Sequence, residues 1–212
     1  MVDFTLHIGT RIWSSWSLRP FMALHAAGAD FETVVTPLRG AETRTRIAAF
    51  SPSGLVPVLV DHRGGEEITV WDSLAICEYL AESHPALWPR EAAARALARC
   101  VSAEMHSGFR PMRLAMPMDL FAEKPGEGLA AEGVAADIAR IDAIFSACRE
   151  RFGTGGPYLF GAFSIADAMF APVASRFRTY RPALSPTAAA YVETLLADTA
   201  FRAWEAAARA EM

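Results

Sequence analysis

Cysteine is scarce in this sequence, and its scarcity excludes a good deal. Cys77, Cys100 and Cys148 stand far apart among 212 residues, with no CxxC pair and no Cys/His cluster. An odd, dispersed set builds neither a disulfide framework nor a structural zinc site. A reducing, cytoplasmic setting and no bound metal are therefore expected. Long apolar runs are missing too, and none approaches the roughly 20 residues that span a bilayer. The first residues, MVDFTLHIGTR, lack the basic stretch, apolar run and cleavage site of a secretory leader, so none is expected. Nor is there a basic stripe. The formal net charge is -4, spread along the chain, which argues against nucleic acid as a partner. No tandem repeat or low-complexity tract stands out, although the C-terminal half is rich in alanine.

What the chain does have is apolar content. Hydrophobic residues make up 52% and charged residues 21%, enough for one large core or two modest ones and too apolar for wholesale disorder. Phe4 to Ile8 alternates apolar and polar residues, as a short strand does. A polar and aromatic loop, GTRIWSSWS, follows. Leu18 to Ala27 has a helical pattern ending at Gly28, which places Pro20 in the first turn, where its missing N–H costs nothing. Phe31 to Pro37 reads as a second strand, giving β-α-β and a parallel pairing.

Arg39 to Ala49 is polar and reads as a short helix or irregular segment, and Val56 to Val60 as a strand fronted by Pro57. A turn with Gly64-Gly65 leads into a partner strand, Glu67 to Trp71. Asp72 to Ala81 is amphipathic, with Leu74, Ile76, Cys77 and Leu80 as its apolar side. SHPALWP breaks the pattern, and beyond it only helical periods remain. Three segments are expected: about Glu91 to Phe121, about Leu129 to Phe152, and one from Ser164, with short helices after it. The order is β-α-β-α-β-β-α and then helices. Residues 1–82 would form one domain, 83–90 a linker and 91–212 a second domain.

Four local features carry chemistry or structure. Ser14-Ser15-Trp16-Ser17 precedes a helix, where hydroxyls either cap it or donate to an anion held by free N–H groups and the helix dipole. Val56-Pro57 at a strand start either marks an edge or, if cis, turns the Val56 backbone outward to pair with a peptide-like ligand. Asp72-Ser73 caps its helix and can also hold a ligand's ammonium and carboxylate. Ser164-Ile165-Ala166-Asp167 has the S-x-x-D form of a capping box ahead of a core helix, a structural feature.

None of these is specific alone, but their order and spacing are. SSWSLRPFMAL resembles the serine-type active-site segment of the cytosolic glutathione transferases, in particular the zeta-class pattern of maleylacetoacetate isomerases. FSPSGLVPVLVD resembles the family's cis-proline segment, WDSLAICEYLAE its γ-glutamyl-binding segment, and FSIADAMFAPVASRF its C-terminal capping box. The resemblance implies an α/β plus all-α fold: a thioredoxin-like βαβαββα domain followed by an all-helical domain. It also implies a homodimer with glutathione as co-substrate. Ser14, with Ser15 in reserve, would hydrogen-bond the sulfur beside Trp16. Val56, between Leu55 and cis Pro57, would pair with the cysteinyl backbone, and Asp72 and Ser73 would hold the γ-glutamyl end.

Such a site can activate a thiol without metal. A free thiol has a pKa of about 8.5, and lowering it by about two units needs about 2.7 kcal/mol. A charge-assisted hydrogen bond of about 1.5–3 kcal/mol and a helix dipole of about 0.3–1 kcal/mol reach that range. Two departures matter. The zeta pattern has a cysteine where this chain has Trp16, which argues against isomerase-like and thiol-exchange chemistry. Leu55 stands where a basic or polar residue is frequent.

The electrophile site is expected between the domains, from Trp13, Met105, His106, Phe109 and Arg110. Met105, Phe109, Met112 and Met116 recur at steps of three and four, a stripe that serves either a core or a pocket wall. His106 is either a surface residue or a second-site donor, and Arg110 and Arg113 are either solvated charges or attractors of an anionic substrate. The leading expectation is a transferase, or an isomerase in which glutathione adds and leaves. The alternative is a non-catalytic binding or scaffold module.

Overall fold

The computed structural model describes residues 2–212. Among them, four strands form one sheet: β1 (Phe4–Gly9), β2 (Phe31–Thr36), β3 (Val58–Asp61) and β4 (Ile68–Trp71), in the order β2-β1-β3-β4. β1 pairs parallel to β2, with Phe4 opposite Phe31. It pairs antiparallel to β3, with Phe4 opposite Asp61, and β3 and β4 close a hairpin. Three helices accompany the sheet: α1 (Ser15–Ala27), α2 (Thr43–Ala48) and α3 (Ser73–Ser83). This is the βαβαββα order expected of a thioredoxin-like domain.

The remainder is helical. A short 3-10 turn at Pro85–Leu87 leads to α4 (Ala92–Ser107), α5 (Arg110–Ala115), α6 (Val134–Phe152), α7 (Ile165–Tyr180), α8 (Pro186–Ala197) and α9 (Thr199–Arg209). α7 is buried on nearly every side, and its buried charged side chains, Asp167 and Arg176, are both hydrogen-bonded. It packs against both α1 and α4, so one continuous core joins Leu6 and Ile8 of the sheet to Met169 and Phe177. Among the described residues no helix is long and apolar enough to cross a membrane.

The start of α7 is fixed by Asp167. Its buried carboxylate accepts from the Ser164 N–H (2.8 Å) and hydroxyl (2.9 Å), the Leu159 N–H (3.0 Å) and the Tyr191 hydroxyl (2.7 Å).

Several sequence expectations shift. α1 begins at Ser15 rather than Leu18, so Trp16 lies in the helix and Pro20 sits beyond the first turn. The bond that would run from residue 20 to the Trp16 carbonyl is therefore absent. β3 starts at Val58, after Pro57, which has no N–H to give a ladder. The segment expected from Glu91 to Phe121 is broken. α4 ends at Gly108, Phe109 adopts a left-handed conformation (φ 56°), and Pro111 cannot continue the preceding turn. α6 begins at Val134 because Gly133, at φ 80°, ends the preceding turn.

Candidate active site

The N-terminal ends of α1 and α3 and the loop before β3 come together on one side of the sheet. They enclose a cavity of about 430 Å³, walled by Trp16, Val56, Pro57, Asp72 and Ser73 and reached by His106 from α4. Leu55 and Trp71, both well exposed, stand at its mouth, with Ser53 beside them.

Each wall has a local cause. The Ser51 hydroxyl accepts from the Leu55 N–H (3.2 Å) and donates to the Leu55 carbonyl (2.6 Å), which curls the chain into Val56-Pro57. That peptide bond is cis. Asp72 caps α3 from a positive-φ conformation (75°), its Oδ1 accepting from Leu74 N–H at 2.9 Å and Ala75 N–H at 3.3 Å. Its Oδ2 faces His106 Nε2 at 3.3 Å, a contact between the two structural units. Burial lowers the His106 pKa, and the nearby Asp72 carboxylate opposes that only in part. The ring is therefore neutral near pH 7, with its Nδ1 buried and without a partner among the described residues.

Ser73 is the most informative wall. It is 1% exposed, and its Oγ has no hydrogen-bond partner among the described residues. It stands in the first turn of α3, where N–H groups and the helix dipole favour an anion. A buried hydroxyl left unpaired costs about 1–3 kcal/mol, so a ligand oxygen here would complete it.

Trp16 meets His106 edge-on, with ring centroids 5.4 Å apart. The Arg19 guanidinium lies 4.2 Å from the Trp16 ring centroid and that of Arg113 5.2 Å. Beneath them Arg176, from α7, donates to the Met116 carbonyl (2.9 Å), the Pro172 carbonyl (3.1 Å) and the Ser15 hydroxyl (3.3 Å).

The structure thus brings Trp16, Leu55, Val56, Pro57, Asp72, Ser73 and His106 to one cavity. Ser14 and Ser15 lie buried at the start of α1 and do not line it. The Ser14 hydroxyl donates to Ser17 Oγ at 2.7 Å. Trp13 stacks instead on Arg39, 4.0 Å away. Met105, Met112 and Met116 are fully buried and Phe109 nearly so, which makes the stripe core, and Arg110 is exposed to solvent. Ser53, Trp71, Arg19 and Arg176 were not singled out from the sequence as site residues. A buried arginine has no local sequence signal, because its partners come from distant segments.

Residues 13–83 match the N-terminal domain model of glutathione S-transferase, and residues 131–208 match its C-terminal domain model. The chain belongs to the glutathione S-transferase family. It is 28% identical over 197 residues to maleylacetoacetate isomerase of Rattus norvegicus, covering 89% of this chain and 87% of that one. It is 29% identical over 169 residues to a probable maleylacetoacetate isomerase of Caenorhabditis elegans, covering 77% and 76%. The crystal structure of maleylacetoacetate isomerase from Anaeromyxobacter dehalogenans, with glutathione bound in its active site, superposes with a TM-score of 0.69 at 27% identity over 96% of each chain.

Proposed function

We propose that this protein is a glutathione transferase that binds reduced glutathione in the cavity between α1, α3 and the Val56-Pro57 loop and presents its thiolate to a small hydrophobic electrophile. The observation that carries this reading is that Ser73, at the N-terminus of α3, lines the cavity while its buried hydroxyl has no hydrogen-bond partner among the described residues. It suits the γ-glutamyl carboxylate. Asp72 suits the ammonium group beside it, and the Val56 backbone the cysteinyl amide. A serine hydroxyl at the start of α1 holds the sulfur as thiolate, which attacks the electrophile by substitution or addition. Residues 1–82 supply the glutathione site and the helical residues 91–212 the far wall, with His106 reaching across. A cytoplasmic homodimer belongs to the same proposal and rests on the family likeness alone.

Steady-state conjugation of glutathione to 1-chloro-2,4-dinitrobenzene and a panel of small enones tests the activity. Turnover that saturates in glutathione and falls in Ser73→Ala supports the proposal; no turnover with any electrophile counts against it. One observation favours a second reading, a non-catalytic glutathione-binding module: neither Ser14 nor Ser15 lines the cavity. Binding without turnover would select that reading.

A further inference from the structure

The loop between β1 and α1 is anchored at each residue from Thr10 to Ser14. The Thr10 hydroxyl accepts from the Leu38 N–H at 2.8 Å, and the Ile12 carbonyl accepts from the Leu120 N–H at 3.2 Å. Trp13 stacks on Arg39, and the Ser14 hydroxyl donates to Ser17 Oγ. The N–H groups of Trp13 and Ser14 both donate to the Thr10 carbonyl, at 3.1 and 3.0 Å, which makes the loop a compact turn. α1 starts at the next residue, and Trp16 in its first turn walls the cavity. A displacement of this turn is therefore passed on to the cavity wall.

The most heavily bonded anchor is Arg11, and its partners come mainly from α9 and the residues just after it. The Arg11 N–H donates to Glu211 Oε2 at 3.0 Å, and its Nη1 donates to Glu211 Oε1. Its Nη2 donates to the Thr33 hydroxyl at 2.5 Å, and its carbonyl accepts from the Trp204 indole N–H at 3.1 Å. The guanidinium also lies 5.4 Å from the Trp204 ring centroid. The Arg11 and Glu211 side chains are only 9% and 17% exposed, so this ion pair is poorly screened, unlike a surface pair. Trp204 is fully buried, which makes α9 a fixed post. Glu211 stands just past the C-terminal end of α9, where the helix dipole disfavours a carboxylate. Its partner is Arg11, 200 positions away, and not its own helix.

We propose, on the reading that reduced glutathione fills this cavity, that Glu211 is a positioning residue: with Trp204 it clasps Arg11 and thereby holds the β1–α1 turn, and the Trp16 end of α1, in the arrangement that binds the ligand. Glu211 itself touches no ligand. Binding and clasp are then linked, so a ligand that needs the closed clasp must tighten it by the same factor as the clasp improves binding.

The test joins calorimetry with hydrogen exchange. Reduced glutathione is titrated into wild type, Glu211→Ala, Glu211→Gln and Arg11→Met at a temperature where circular dichroism shows each to be folded. Glu211→Ala and Arg11→Met are expected to bind about fivefold or more weakly. Glu211→Gln recovers part of that loss, because its amide oxygen still accepts from the Arg11 N–H while the charge is gone. In wild type, saturating glutathione is expected to slow exchange of the Arg11 amide and the Trp204 indole N–H by about the same factor. A role confined to stability would lower the melting temperature and move neither readout. A folded Glu211→Ala that binds within twofold of wild type overturns the proposal, as does exchange at Arg11 and Trp204 that is unchanged by the ligand. If Glu211→Ala and Arg11→Met do not fold, exchange in wild type decides. Absence of glutathione binding in wild type is a different failure, that of the underlying reading, and the calorimetry registers it as such.

Discussion

Replacing Ser73 by alanine separates ligand binding from folding with unusual clarity. In the free protein the Ser73 hydroxyl has no hydrogen-bond partner among the described residues, so its loss breaks no bond. The cap of α3 is Asp72, which is untouched, and alanine suits the first helical turn at least as well as serine. Stability is therefore expected to be unchanged, or to rise by up to about 1 kcal/mol as an unsatisfied hydroxyl is removed. At about 2–4 °C per kcal/mol for a chain of this size, the melting temperature moves upward by a few degrees at most. Glutathione binding should behave in the opposite way. A hydrogen bond to a carboxylate is worth about 1.5–3 kcal/mol, which weakens binding about 10- to 150-fold when lost. Calorimetric titration at pH 7 gives the binding constant, and thermal melts of the unliganded protein give the stability. A dissociation constant within twofold of wild type would refute the assignment of Ser73 to the ligand. Destabilisation beyond about 2 kcal/mol would show instead that the hydroxyl has a structural partner.

Other outcomes follow from groups elsewhere in the fold. Asp167→Ala strips four hydrogen bonds from one buried carboxylate and leaves the Tyr191 hydroxyl and two N–H groups unpaired. Its expected cost is about 3–5 kcal/mol by urea unfolding, and a loss under 1 kcal/mol would contradict the account. His7, His25 and His106 all have pKa values lowered chiefly by burial. Below the ordinary histidine value of 6.5 the unfolded chain then binds more protons than the native one, so stability falls on acidification through that range and is flat above it. Urea midpoints at pH 7.5 and 5.5 measure the slope, which His106→Gln should reduce; an unchanged slope would remove His106 from the explanation. Among the thiols, Cys100 is exposed, whereas burial pushes both Cys77 and Cys148 up to about 12. A disulfide reagent should titrate one fast thiol per native chain and three after unfolding, and a second fast thiol would place Cys77 or Cys148 outside the core.

Much of the fold was legible because its signals are local. Alternation at Phe4 to Ile8, the glycine ending α1 and the capping pair Ser164 and Asp167 each act within a few residues. The same holds for the side of α3 that buries Ile76, Cys77 and Leu80. The break between α4 and α5 also had a local signal, Gly108 followed by Pro111, but the methionine period ran across it and concealed it. The site divides in the same way. Val56-Pro57 and Asp72-Ser73 stand out by motif, whereas Arg176 reaches Ser15 across 161 positions and Arg19 meets Arg113 only through the folded helical bundle. Trp13 and Trp16 look alike in sequence. Entry into the helix turns Trp16 toward the cavity and leaves Trp13 in the loop to stack on Arg39.

The central claim is that this cavity binds reduced glutathione as a thiolate. Calorimetric titration of the wild-type protein with reduced glutathione, repeated in two buffers of different ionisation enthalpy, tests it most directly. The account predicts saturable binding at one site per chain, with proton release below the free thiol pKa and a gain in thiolate absorbance. Absence of binding heat, or binding with no proton released, would contradict it.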